Sequence, residues 1–280
     1  MNTIKTFTVL LCLVGMGDAA HAQSFWQERD RAVSFKIEAA KPSFGNDSWA
    51  GHLNGMRLQA GTRLPVSSRT MLAIDFPLAS SSQPVGFMQS YTTWQKGCPY
   101  VGFEFASVKR PQLTFELGLR VPLGNGSASV IGNSAEPERM GAFTGWSSHV
   151  WTFSTALNYD YRSTSNFLAS GRIGLSLMIP SNMRLNIWGS IWPRAALQYG
   201  YRMGVFTDKL TVQAGLSGYT LIADEYYDSP SRLNNFVRMS AALSLGRATP
   251  EMFVSKPLGK SGDLFGWNVD HTFGLSLTIR

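Results

Sequence analysis

The stretch Leu113-Thr114-Phe115-Glu116-Leu117-Gly118-Leu119-Arg120-Val121 puts an apolar residue at every odd position and Thr, Glu, Gly or Arg at every even one. Successive side chains of a strand point to opposite faces. The segment therefore reads as a strand with one wholly apolar face and one polar or minimal face. The i, i+3, i+4 spacing of an amphipathic helix does not fit it.

The same period of two recurs along the chain. It is seen at 33–38, 56–64, 72–78, 101–105, 151–160, 172–177, 197–203, 210–217, 237–245 and 273–279, and in weaker form at 250–256. With the opening stretch this makes about twelve strands, and a tilted strand of about 9 to 11 residues suffices to cross a bilayer. The connections alternate in length. Short ones fall near 65–69, 109–111, 161–165, 207–209 and 246–249; longer ones fall near 41–53, 80–97, 123–147, 180–193, 223–234 and 258–270. Short periplasmic turns alternating with long outer loops, on an even number of strands, are the plan of a transmembrane barrel. Both chain ends then lie on the periplasmic side. The expected fold is all-β: a transmembrane, antiparallel, up-and-down β-barrel of about twelve strands.

A soluble secreted β-sandwich also has alternating strands. Its polar faces meet bulk water, where Lys and Glu abound. Here the polar face is mostly Gly, Ser, Thr and single charges, and the apolar face is rich in Leu and Phe. Trp and Tyr gather at strand ends and in the long connections: Tyr91, Trp94, Trp146, Trp151, Trp188, Trp192, Tyr226, Tyr227 and Trp267. Amphipathic rings of this kind favour the headgroup level of a membrane.

The N-terminus fits export. Lys5 is followed by an apolar run from Phe7 to Met16, then by Ala20-His21-Ala22. Small residues two apart after a short apolar core mark a signal-peptide cleavage site, so residues 1–22 are expected to be removed and 23–280 to form one barrel domain. The run is too short for a spanning helix, which needs about 20 apolar residues. Cys12 is preceded by Leu11 rather than a small residue, which argues against a lipoprotein. The mature chain keeps one cysteine, Cys98, so it has no intramolecular disulfide and no Cys-based metal site.

The formal charge is +7, and charged residues are only 15% of the chain. The bases are scattered singly, without the Lys/Arg runs of a nucleic-acid-binding protein. Counted by strand phase, the inward bases are Lys36, Arg57, Arg63, Arg120, Arg172, Arg194, Arg202 and Arg238. The inward acids are Glu38, Asp75, Glu104, Glu116, Asp160 and Glu251. An inward charge needs water or a partner. The candidate lumen-lining set is accordingly Arg57, Arg63, Asp75, Glu104, Glu116, Arg120, Asp160, Arg172, Arg202 and Arg238. Such residues can line a narrow wet pore for small polar or anionic solutes. They can equally form a salt-bridged plug. Twelve strands enclose a space between the filled eight-stranded kind and the open porins. The expected partners are outer-membrane lipid and a small polar or anionic solute, with no nucleic acid. The expected location is the outer membrane of a Gram-negative bacterium.

Other functions must be weighed. Ser147 and His149 stand at i and i+2, the spacing at which imidazole could activate a serine for ester hydrolysis. No carboxylate or amide in sequence reach orients that ring, so a lipid-modifying hydrolase is an alternative and no enzyme is the expectation. A structural or adhesive barrel acting through its outer loops is the other alternative; residues 123–147 form the longest, rich in Gly, Ser and Asn. No P-loop, GxGxxG or metal-ligand spacing is present, and no cofactor is expected.

Cys98-Pro99-Tyr100-Val101-Gly102-Phe103-Glu104-Phe105, followed by residues 111–123, resembles an early hairpin of outer-membrane transporter-like barrels, including channels grouped with the MetA pathway of phenol degradation. The stretches from Leu243, through 251–257, and over 271–279 resemble the closing strands of such barrels. The resemblance implies a channel-like barrel with no catalytic residues to carry over. Such barrels usually end in an aromatic residue, whereas this chain ends Thr278-Ile279-Arg280.

Overall fold

Inside hydrocarbon each unpaired amide costs several kcal/mol, so spanning strands must close into a ring without edges. The computed structural model has that closure. It describes residues 32–45, 54–85, 89–123, 150–180, 194–222, 233–259 and 269–280. The proposed signal peptide, Ser147, His149 and most of the long connections lie outside the described residues. No helix among those described is long and apolar enough to cross a membrane.

Thirteen strands follow in order: β1 (Ser34–Phe44), β2 (Asn54–Pro65), β3 (Thr70–Val85), β4 (Gln89–Lys96), β5 (Tyr100–Ala106), β6 (Leu113–Arg120), β7 (Val150–Arg162), β8 (Phe167–Pro180), β9 (Arg194–Phe206), β10 (Leu210–Leu221), β11 (Leu233–Leu243), β12 (Ala248–Pro257) and β13 (Val269–Ile279). Consecutive strands pair antiparallel, apart from β4 with β5, and β13 pairs with β1, so the sheet is a closed cylinder. β4 and β5 both pair with β3, one above the other, and form a single stave. The barrel therefore has twelve staves. The weak segment 250–256 is a full member, pairing with β11 and β13. A closed ring of this kind excludes the two-sheet sandwich.

The break between β4 and β5 is a bulge. Asp75 faces Tyr100 and Leu78 faces Lys96, so two residues of β3 oppose three, Gly97, Cys98 and Pro99. Pro99 has no N–H to give the ladder. The extra residue flips the alternation: Trp94 points outward in β4, while Val101, Phe103 and Phe105 point outward in β5. Bulges re-aim side chains in this way, and here the result is that Tyr100 enters the barrel.

One reading is corrected. Residues 80–97 read as a long connection, yet β3 continues to Val85 and pairs through Val85↔Gln89 with β4. Tyr91 and Trp94 thus sit on a strand. Beyond the hydrocarbon both faces of a strand meet water, so the period-two code stops while the hydrogen-bonded ladder continues. Ser80-Ser81-Ser82-Gln83 carries no apolar face to read.

The short turns are made by suitable residues. Asn166 (φ 61°) and Gly246 (φ 67°) occupy the left-handed region at the β7–β8 and β11–β12 turns, where Asn and Gly are the residues that enter it at least cost. All five short turns and the C-terminus lie at one end of the cylinder.

The outer wall is apolar. Phe103, Phe115, Leu117, Phe153, Ile173, Leu175, Leu277 and their neighbours stand exposed around the cylinder. Water would make such a surface aggregate; acyl chains are its natural solvent. Leu175→Arg, in mid-strand on that wall, is expected to lower folding stability by about 2–4 kcal/mol, the depth-dependent cost of a cation in the bilayer core. Chemical denaturation of the protein in lipid vesicles measures it; an unchanged midpoint would place that wall outside the lipid.

Candidate functional site: the charged interior

The inward face follows from alternation. Even positions of β1, β8 and β11 and odd positions of β2 and β3 point into the cylinder and are buried. Nine of the ten candidate residues are buried there: Arg57, Arg63, Asp75, Glu104, Glu116, Arg120, Arg172, Arg202 and Arg238. Asp160 is the tenth, and its side chain is 27% exposed. Lys36 and Glu38 are buried beside them. The Arg194 side chain lies outside the described part of β9.

These groups form ion pairs that mostly skip one stave. Arg63 of β2 pairs with Glu104 of β5 across β3. Arg120 of β6 reaches Asp75 of β3 across β5 at 3.8 Å. Arg172 of β8 meets Glu116 of β6 across β7 at 2.9 Å. Arg202 of β9 meets Asp160 of β7 across β8 at 3.4 Å. Lys36 of β1 reaches Glu251 of β12 across β13 at 3.6 Å. The concave inner wall explains the pattern, because side chains from alternate staves converge as they leave it.

Several pairs link into one belt. Glu251 takes Arg238 (3.6 Å) and Lys36; Lys36 also pairs with Glu38 at 2.9 Å. Glu38 accepts from Arg57, which also donates to Gln59 Oε1. Gln59 Nε2 donates to Asp75 Oδ1 at 2.8 Å. Arg120 donates to the Cys98 carbonyl at 3.2 Å and lies 5.6 Å over the Tyr100 ring. Tyr100 Oη donates to Glu116 Oε1 at 3.5 Å, and Asn158 Nδ2 to Glu116 Oε2 at 3.2 Å. The network runs from β11 through β12, β1, β2, β3, β5, β6 and β7 to β8. With the separate pairs Arg63–Glu104 and Arg202–Asp160 included, the interior charges are close to balanced, with seven cations (Lys36 and six arginines) against six carboxylates.

Burial decides what the belt does to the lumen. Arg57 and Asp75 are 0% exposed, and Glu116 and Arg238 are 1% exposed. Side chains along an open water column would be accessible from within. At this level the cylinder is filled by its own side chains.

Aromatic residues complete the filling. Tyr100 lies against Gly102 and Gly118, where any Cβ would strike its ring. Phe253 covers Gly274 in the same way, and Arg238 stacks 3.5 Å above the Phe253 ring. On the side of the long connections, Met178, Ala196, Tyr219 and Phe236 form an apolar cluster inside the barrel, with Val150 packed on it. It occupies the β8–β11 sector, where the ionic belt is interrupted. Sequence reasoning missed these rings. Their positions carried the inward phase, and that phase was the available signal.

On the short-turn side the interior opens. A cavity of about 810 Å³ is bounded by Lys36, Glu251, Asp160, Arg202, Gln112 and Gln213, among others. The belt forms its floor, and the short turns form its mouth.

A closed twelve-staved cylinder, apolar outside and charged within, defines an outer-membrane β-barrel. Known structures share the architecture. An outer-membrane channel from Pseudomonas putida F1 aligns over 94% of this chain and 98% of its own, with a TM-score of 0.56 at 12% identity. The NanC porin aligns over 89% of this chain and 100% of its own, with a TM-score of 0.51 at 10% identity. At such identities the likeness concerns the fold. No family model and no curated protein matches the sequence.

Proposed function

We propose that the barrel passes small polar or anionic solutes across the outer membrane through its charged interior. The observation that carries the reading is the cavity of about 810 Å³, in whose lining charged, amide and hydroxyl side chains outnumber apolar ones and which reaches inward to the ionic belt. A barrel that served only as a filled scaffold has no need of a polar chamber of that size at one mouth. The fold shared with the Pseudomonas putida channel and the NanC porin supports the same reading. The resemblance of residues 98–105 and 111–123 to transporter-like barrels associated with phenol degradation supports a channel of that type.

In this reading the belt is a constriction. Solute enters the chamber, meets Arg202, Asp160, Lys36 and Glu251, and crosses as ion pairs exchange partners. Seven cations against six carboxylates give a weak bias toward anions. The role is transport without a catalytic step. The hydrolase alternative rests on Ser147 and His149, outside the described residues.

Reconstituted protein is expected to give small, discrete conductance steps in planar bilayers, far below those of open sixteen-stranded porins. A folded barrel that stays insulating at every voltage would remove the channel reading and favour a salt-bridged scaffold.

A further inference from the structure

We propose that the short-turn rim of the barrel is a docking collar for anionic phospholipid headgroups. The argument starts from where the excess charge lies. Five short turns and the C-terminus make six corners at this end, and every corner carries a base. Arg69 sits in the β2–β3 turn, Lys109 and Arg110 in the β5–β6 turn, and Lys209 in the β9–β10 turn. Arg162 ends β7, Arg247 lies in the β11–β12 turn, and Arg280 follows β13. All are exposed, although Arg162 and Arg280 also border the inner chamber, as does Asp208, the acid among these corner residues. Counting side chains alone, the excess of six at this rim nearly equals the formal +7 of the whole chain. The six connections at the opposite end hold seven acids and four bases by sequence, so the barrel is not basic all over.

Two features choose the partner. The five bases that do not border the inner chamber, Arg69, Lys109, Arg110, Lys209 and Arg247, occupy four of the six corners around the circumference. A soluble acidic protein would meet one sector, and a solute would meet the inner lip. A lipid leaflet surrounds the cylinder on every side. The height also fits. Outward-facing Phe105, Tyr161 and Phe167 stand exposed beside these corners, and rings of that kind mark the boundary between acyl chains and headgroups. Bases just beyond them lie at the depth of phosphate groups, where each cation near an anionic surface adds attraction that salt screens. The collar would hold the short-turn end in register with the phosphate plane. The inference rests on the membrane fold alone and stands whether or not the barrel conducts.

The test uses the folded barrel in phosphatidylcholine vesicles with trace spin-labelled phosphatidylglycerol or phosphatidylcholine. The motionally restricted fraction gives the relative association of the two lipids. Wild type is expected to favour phosphatidylglycerol by about threefold at low salt, falling toward one at about 0.5 M sodium chloride. The variant Arg69→Gln/Lys109→Gln/Arg110→Gln/Lys209→Gln/Arg247→Gln should show a ratio near one, with heat-dependent gel mobility confirming that it folds. Should it not fold, Lys109→Gln/Arg110→Gln alone is expected to lower the ratio part of the way. A wild-type ratio of one, or a preference that survives in a folded variant, overturns the proposal; a soluble anion or acidic protein as partner predicts the first of these.

Discussion

Glu116→Ala is expected to lower the folding stability of the barrel by about 3–5 kcal/mol, the range for removing one partner of a buried ion pair. Glu116 is 1% exposed and accepts from Arg172 at 2.9 and 3.3 Å, from Asn158 at 3.2 Å and from Tyr100 at 3.5 Å. Its loss takes from Arg172 its nearest carboxylate while the guanidinium stays inside the cylinder. Arg172 would keep Asn158 Oδ1 at 3.1 Å, a neutral acceptor that does not balance its charge. Desolvation of the cation then loses its main compensation. The double variant Glu116→Leu/Arg172→Met should recover most of the loss, because well-packed apolar residues often replace a buried pair without cost. Titration with denaturant in vesicles measures both. A cost below about 1 kcal/mol for the single change would match a solvated pair. That result would mean that water reaches the belt and that the interior is not filled at this level.

The phase of the strands was legible because hydrocarbon imposes it. An outward Leu275 and an inward Thr272 are told apart by position alone, and the sheet follows the alternation even at 250–256, where the pattern is faint. The inward direction of Arg57, Glu116 or Arg238 follows from the same parity. Their partners do not. Arg172 meets Glu116 across an intervening stave, and that depends on register and on the curvature of the wall, which no local pattern encodes. The bulge at Gly97, Cys98 and Pro99 is the sharpest case. It changes the parity between Trp94 and Val101, and Tyr100 thereby becomes part of the filling. Outside the membrane the code fails for a different reason: nothing apolar is required there, so the β3–β4 extension is written in Ser, Gln and Thr and reads as a loop.

If solute crosses the belt, its two most buried cations should control the passage. Arg57 and Arg238 are among the largest fully buried side chains; one joins Glu38 to Gln59, and the other stacks on Phe253 and reaches Glu251. Truncating both to Ala opens space on two sides of the constriction and leaves five cations against six carboxylates. Single-channel conductance is expected to rise about threefold or more, with selectivity shifting toward cations, because the charge lining a narrow pore sets which ion enters. Glu38→Gln/Glu251→Gln loosens the same mesh with the opposite sign, leaving seven cations against four carboxylates, so conductance should rise while preference moves toward anions. Reversal potentials in a salt gradient separate the two outcomes. Widening alone would raise conductance equally in both variants and leave selectivity unmoved. Selectivities that move in opposite directions require the permeating ion to pass within reach of these side chains. Were neither variant to change either quantity, conduction would have to bypass the belt, and the charged interior would be a scaffold rather than a path.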